Sequence, residues 1–182
     1  MTKILKIRLV KLSDLTSCWE HEGRHRSESG KNGNVVFYPT DDSSRVELDS
    51  FKVLNSNRWS AALTDIGWER RWALFDGDTV VGQLKLGHQS PHATSLHRAT
   101  LSLGIESNYH HQGFGQQLIR KAIDWAKMQE SLYWLDLFVF THNQRALGLY
   151  EKFGFMPVGV IEDMFRVHGQ KISDVIMTLS LR

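Results

Sequence analysis

The sequence predicts a single domain of the α/β (α+β) class, with about six to seven strands flanked by helices, and three observations carry that reading. In "RRWALFDGDTVVGQLKL" two apolar, β-branched runs flank Asp76-Gly77, a dipeptide that suits the tight turn of a β-hairpin. From His97 to Ile105 the chain alternates Ala99, Leu101, Leu103 and Ile105 with polar residues. Soon after, Leu118, Ile119, Ala122, Ile123 and Ala126 recur at helical spacing, so a strand runs into an amphipathic helix. The remainder reads as a buried strand, "YWLDLFVF", a helix, "NQRALGLYEKF", stopped at Gly154, and two closing strands, "FMPVGVI" and "DVIMTLSL".

Ahead of the hairpin the signals are shorter. Ile4, Ile7 and Leu9, alternating through Leu12, predict a first strand; Ser13 and Asp14 then offer capping oxygens to a helix carrying Leu15, Cys18 and Trp19. From Glu22 to Ser44 the composition turns polar and predicts a loop. "DDSSRVELDSFKVL" predicts a second capped helix with Leu48, Phe51 and Leu54 on one side.

Composition excludes several function classes. With 182 residues one core suffices, and 22 basic against 20 acidic side chains leave a net charge of +2, no electrostatic footprint for nucleic acid. No run approaches the ~18 apolar residues of a membrane span. Lys3, Lys6, Arg8 and Lys11 interrupt the apolar start, so it lacks a signal-peptide core. Cys18 is the sole cysteine, which rules out an intrachain disulfide and a thiolate-cluster metal site and fits a cytoplasmic setting.

"HHQGFGQQL", His110 to Leu118, carries the chemistry. Gly113 and Gly115 lie between a strand end and a helix start, where unbonded N–H groups and the helix dipole favour an anion. Two phosphate motifs do not fit. The dinucleotide fingerprint needs a third glycine where this chain has Leu118, and the P-loop needs Gly-Lys-Ser/Thr. A tight turn with no ligand is the alternative on this feature alone.

The order "LSLGIE", "NYHHQGFG", "QQLIRKAIDWA", "LDLFVF", "NQRALGLYEKFGF" resembles the GNAT superfamily of acetyl-CoA-dependent N-acetyltransferases over roughly Arg70 to Arg182. The family loop is Q/R-x-x-G-x-G/A, and its next motif matches Asn143, Ala146, Leu149-Tyr150 and Gly154-Phe155; His110 departs, standing where Gln or Arg is usual. The resemblance implies a central mixed, mostly antiparallel twisted sheet, opened between the cofactor-side strands. Residues 1–65 would form an N-terminal strand, helices and acceptor-side loop, and residues 66–182 the cofactor-binding core with a C-terminal hairpin. It implies that acetyl-CoA is the acyl donor; no metal is expected, because His21 and His25 lack a convincing third ligand.

The resemblance also assigns roles. His110, His111, Gln112, Gly113, Phe114, Gly115 and Gln116 form the pyrophosphate loop, with N–H groups from about Gln112 to Gln116 facing the phosphates. The pantetheine arm pairs with the backbone around Leu103 to Ile105, and Tyr150 protonates the departing thiolate. Asn143 either caps its helix or contacts the cofactor, and Tyr150 is otherwise a core tyrosine. Glu106 is the first candidate for the base and His97 the second. The acceptor is a primary amine of a small molecule or a protein, and a homodimer is compatible with the family.

Two rival classes remain. "HEGRH", with His21, Glu22 and His25, matches the H-E-x-x-H pattern of a zinc hydrolase, although Gly23 weakens the helix it needs and no third ligand stands out. A CoA-binding module without catalysis would keep the loop, but it gives Tyr150 no role.

Overall fold

Asp76-Gly77 turns the chain between β2 (Glu69–Asp76) and β3 (Thr79–Gly87), with Gly77 at φ 61°, a left-handed value that glycine adopts without penalty. The computed structural model describes residues 5–39 and 46–182. The remaining elements, in chain order, are β1 (Leu5–Leu9), α1 (Leu15–Ser27), α2 (Leu48–Ser60), β4 (Arg98–Ile105), α3 (Phe114–Lys127), β5 (Trp134–Phe140), α4 (Gln144–Glu151), β6 (Met156–Val167) and β7 (Gln170–Ser180). Seven strands make one sheet in the order β1-β2-β3-β4-β5-β7-β6. Every neighbouring pair is antiparallel except β4 and β5, which run parallel because α3 returns the chain between them. The expected mixed, mostly antiparallel architecture is present.

Strand alternation gives the sheet two different faces. On one, Leu84, Leu101, Leu135, Leu137 and Met177 meet Leu118, Ile119 and Ala122 of α3 and Tyr150 of α4 in the main core. On the other, Ala73, Phe75 and Val80 pack with Leu15 and Cys18 of α1 and Phe51 of α2, covering the β1–β3 half. That half also holds a buried ion cluster. Arg71, 2% exposed, donates to Glu69 Oε1 (2.7 and 3.0 Å), Glu22 Oε1 (2.9 Å), Gln83 Oε1 (2.9 Å) and Asn55 Oδ1 (3.2 Å), so one guanidinium joins α1 and α2 to the sheet.

Four local expectations change. β1 stops at Leu9, and residues Leu12–Asp14 form a 3₁₀ turn instead of continuing the strand. Asp14 accepts from Arg8 (2.7 and 2.9 Å) and from Lys11 N–H (2.7 Å), and its side chain does not cap α1. The predicted loop from Glu22 is helical as far as Ser27, because burial of His21 against Gln83 and the reach of Arg24 to β3 hold the last turns despite Gly23. On α2, Phe51 and Asn55 are the buried positions, while Leu54 is 51% exposed. Ile4 and the predicted caps from Asp41 to Ser44 lie outside the described residues. No helix among the described residues is long and apolar enough to cross a membrane.

Candidate active site

β4 and β5 pair at three positions only, Arg98↔Trp134, Ala99↔Leu135 and Thr100↔Asp136, and then separate although each strand continues. Beyond β4, the N–H of Glu106 donates to Val81 O (3.0 Å). Antiparallel alternation therefore turns the peptide groups of Gly104 and Ser102 toward β3 and those of Leu103 and Ile105 toward the gap. A notch lined by strand peptide groups suits an extended ligand that carries amides of its own.

The glycine loop sits at the mouth of this notch. A 3₁₀ turn at Ser107–Tyr109 is tied back by the Glu28 carboxylate, which accepts from Ser107 N (3.0 Å) and Oγ (2.8 Å), and by Tyr109 donating to Asp76 (2.7 Å). His111 (φ 60°) and Gly113 (φ 80°) are both left-handed, and α3 then begins at Phe114. The first helical bond runs from Gln117 N to Gly113 O (3.1 Å), so the N–H groups of Phe114, Gly115 and Gln116 precede it and point out of the helix end. The loop offers backbone donors to an anion.

The two glycines serve different ends. A Cβ at Gly113 would meet nothing within 4 Å, so glycine there serves the backbone angle and leaves the surface clear. A Cβ at Gly115 would lie 3.3 Å from Leu149 Cδ2 and 3.6 Å from Leu103 Cδ2, so this glycine lets α3 settle against β4 and α4.

His110, at the start of the expected phosphate loop, is fixed through its N–H and both ring nitrogens. Its N–H donates to Ser107 O (3.0 Å), and its ring is held at both nitrogens. Arg145 Nη1 donates to Nδ1 (2.8 Å), which leaves the proton on Nε2 to donate to Ile105 O (2.7 Å). Burial, with the Arg145 charge, lowers its pKa and keeps this neutral tautomer. His110 thus locks the loop to the end of β4. Arg145, which no sequence signal marked, fixes that lock from 35 positions away.

Asn143 Oδ1 accepts from Ala146 N (3.2 Å), so its capping reading is met at the start of α4. Tyr150 is buried in the main core, its ring edge-on to Phe155 at 5.9 Å, and burial raises its pKa so that the hydroxyl keeps its proton. Glu106 accepts from Arg24 Nε (2.9 Å); burial raises its pKa, the Arg24 charge works against that, and the nearby Glu28 adds to it. His97 stands just before the far end of β4, its ring edge-on to Tyr133, away from the glycine loop.

His21, Glu22 and His25 do share a helix, α1. His21 Nδ1 pairs with Gln83 Nε2 (2.8 Å), however, and Glu22 is engaged by Arg71 (2.9 Å) and Lys85 (3.6 Å). His25 stacks on Phe37 at 4.6 Å and lies over β4 so closely that a Cβ at Gly104 would come 2.7 Å from its Cε1. Among the described residues no group of three or more His, Cys, Asp or Glu side chains could hold a metal. The pair instead forms a wall beside the notch.

The family model described as the acetyltransferase (GNAT) family matches residues 40–155. The chain belongs to the GNAT family. It is 32% identical over 96 residues to N-alpha-acetyltransferase RimI of Mycobacterium tuberculosis, a match covering 51% of this chain and 56% of that protein. The chain spans about half or less of the length of the curated relatives it matches. Among solved GNAT-fold structures, an acetyltransferase of the family from Streptococcus pneumoniae superposes with a TM-score of 0.82 at 22% identity, covering 97% of this chain and 99% of that one. A Salmonella typhimurium protein solved with its cofactor acetyl-CoA gives 0.79 at 14% identity, covering 98% and 94%. The GNAT fold thus extends over nearly the whole chain.

Proposed function

We propose that this GNAT protein transfers an acetyl group from acetyl-CoA to a primary amine by direct attack in a ternary complex. The observation that carries the proposal is the parting of β4 from β5 where the N-terminus of α3 presents its free N–H groups. The His111 to Gln116 segment would hold the pyrophosphate, and the peptide groups of Leu103 with the N–H of Ile105 would pair with the pantetheine arm; the Salmonella typhimurium neighbour with its acetyl-CoA supports a cofactor of this kind. When bound, acetyl-CoA supplies an activated acyl carbonyl and a thiolate leaving group.

The chain's own residues then have few tasks. A backbone N–H near Leu103 or Ile105 donates to the carbonyl oxygen as it gains charge. Tyr150 is held protonated by burial and donates to the leaving sulfur. Glu106, whose carboxyl burial biases toward holding a proton, accepts one from the amine directly or through water. His110 acts indirectly by fixing the loop on Ile105. The acceptor is a primary amine, free or on a protein; kinship to an N-alpha-acetyltransferase favours an α-amino group.

The test is CoA release from acetyl-CoA with a panel of free amines, lysine side-chain analogues and peptide N-termini, with the acetylated product identified by mass. Acetyl-CoA-dependent N-acetylation of at least one class is expected. Tight acetyl-CoA binding with no acetylation of any class would overturn catalysis in favour of a CoA-binding module.

A further inference from the structure

The sheet face opposite the main core, on the β5–β7 side of the notch, carries one acid that the reaction outlined above leaves unused. Asp174 lies in β7 at a position whose neighbours on the same face, Ile172 and Ile176, are apolar. It is directly opposite Phe140 of β5 and Ile161 of β6. Its residue exposure is 4%, and its Oδ1 is buried without a hydrogen-bond partner among the described residues. Phe140 and Ile172 belong to an apolar cluster with Val167, which Val36 and Phe165 flank, so the surroundings offer the carboxylate little compensation. Burial accordingly raises its pKa. A nearly buried acid with an unmatched oxygen destabilises the free protein, and such a group persists where a ligand supplies the missing partner.

The register places Asp174 relative to the notch. Thr100 is the last β4 residue paired with β5, against Asp136; four residues further along each strand stand Gly104 and Phe140. Phe140 is in turn opposite Asp174. Gly104 and Asp174 are therefore level across the opening, two strand spacings or about 10 Å apart at least. On this face Gly104 is covered by the His25 ring, while His21 Nε2 behind it is also buried without a partner. The side of the notch away from α3 thus has neutral imidazoles at the β4 edge and Phe140 at the β5 edge, with the Asp174 carboxylate next to Phe140 on β7.

We propose that Asp174 is the anchor for a second cationic group of the acceptor, binding an ammonium other than the reacting amine on the α1 side of the opening. The inference rests on the acetyltransferase reading and adds the charge that the acceptor must bring. Asp174 forms no covalent bond. It holds the acceptor by this non-reacting ammonium while the neutral amine lies at the cofactor, and the carboxylate is matched only when the ammonium is present.

The experiment compares wild type with Asp174→Asn and Asp174→Leu, measuring acetyl transfer to amines that carry a second ammonium group, binding of acetyl-CoA and thermal melting. In both variants the KM for the amine should rise about tenfold or more, the loss expected when a charge-assisted hydrogen bond is removed. Acetyl-CoA affinity should hold, and Tm should stay level or rise, because an unpaired buried charge has gone. Unchanged amine KM in Asp174→Asn overturns the role of Asp174 and leaves the acetyltransferase reading intact. A lower Tm with parallel loss of acetyl-CoA binding in both variants marks a structural acid and overturns it as well. If wild type acetylates no amine, the acetyltransferase reading itself falls and this inference falls with it.

Discussion

Tyr150 shows how one environment serves two demands. Its ring fills the main core beside Phe155, and the same burial raises the pKa of the hydroxyl, so the proton that the proposed acid role requires is retained. Tyr150→Phe keeps the ring and removes the proton. Tm and acetyl-CoA affinity should be nearly unchanged, while kcat should fall about 10²- to 10⁴-fold if thiolate departure limits turnover. The measurement is kcat across pH for both proteins beside their melting curves; equal turnover at every pH in a well-folded variant would return Tyr150 to packing alone. Glu106 presents the harder case at this scale, because its partner Arg24 opposes the effect of burial. Its role depends on an ion pair between residues 82 positions apart, which the sequence does not display.

The strand-to-helix junction is where the cofactor reading is decided, and its glycines separate binding from folding. Gly113→Glu meets open space, so its folding cost is the ~1–2 kcal/mol of a non-glycine residue at φ 80°. Its carboxylate would face the free N–H groups of α3 and repel a phosphate. Gly115→Val instead drives a branched side chain toward Leu149 and Leu103 and should destabilise the fold directly. Melting curves with and without acetyl-CoA should show wild type stabilised by ligand, Gly113→Glu folded but unresponsive, and Gly115→Val with the lower starting Tm. A full ligand-dependent shift in Gly113→Glu would remove the loop as the site. The elements at this junction were legible because their signals are local: Asp76-Gly77, the alternation from Ala99 to Ile105, and the helical period from Leu118 to Ala126. The last turns of α1 were not, since Gly23 and polar neighbours argue against a helix that the packing of His21 on Gln83 supports. Nor was the His110 lock, which needs Arg145 from another helix, or Asp174, which shows only as an acid in an apolar alternation.

Over the whole molecule, the wall formed by α1 beside the notch makes stability depend on acid. His21 has its pKa lowered to about 2 and His25 to about 4, both chiefly by burial, with His21 further depressed by the His25, Arg24 and Arg71 charges and His25 by His110. Above about pH 6.5 both histidines are neutral whether the chain is folded or not, and they exact no penalty. As pH falls below that value the unfolded chain takes up protons that the folded chain refuses. Stability therefore drops, by up to about 1.4 kcal/mol per pH unit for each histidine. Carboxylates with lowered pKa values, Asp14 and Glu69, contribute in the same direction only at lower pH; His88 and His110, lowered by burial, add to the slope and Glu106 and Asp174, raised by burial, oppose it, so in the window from about 6.5 to 5 the comparison with a His25 variant is what isolates that ring. Urea unfolding across that window should show a falling midpoint in wild type and a shallower fall in His25→Gln, whose side chain cannot take up the proton. A slope unchanged by His25→Gln would mean that the ring accepts a proton in the folded state. The acceptor side of the notch would then be cationic at mildly acid pH, a poor wall for an ammonium.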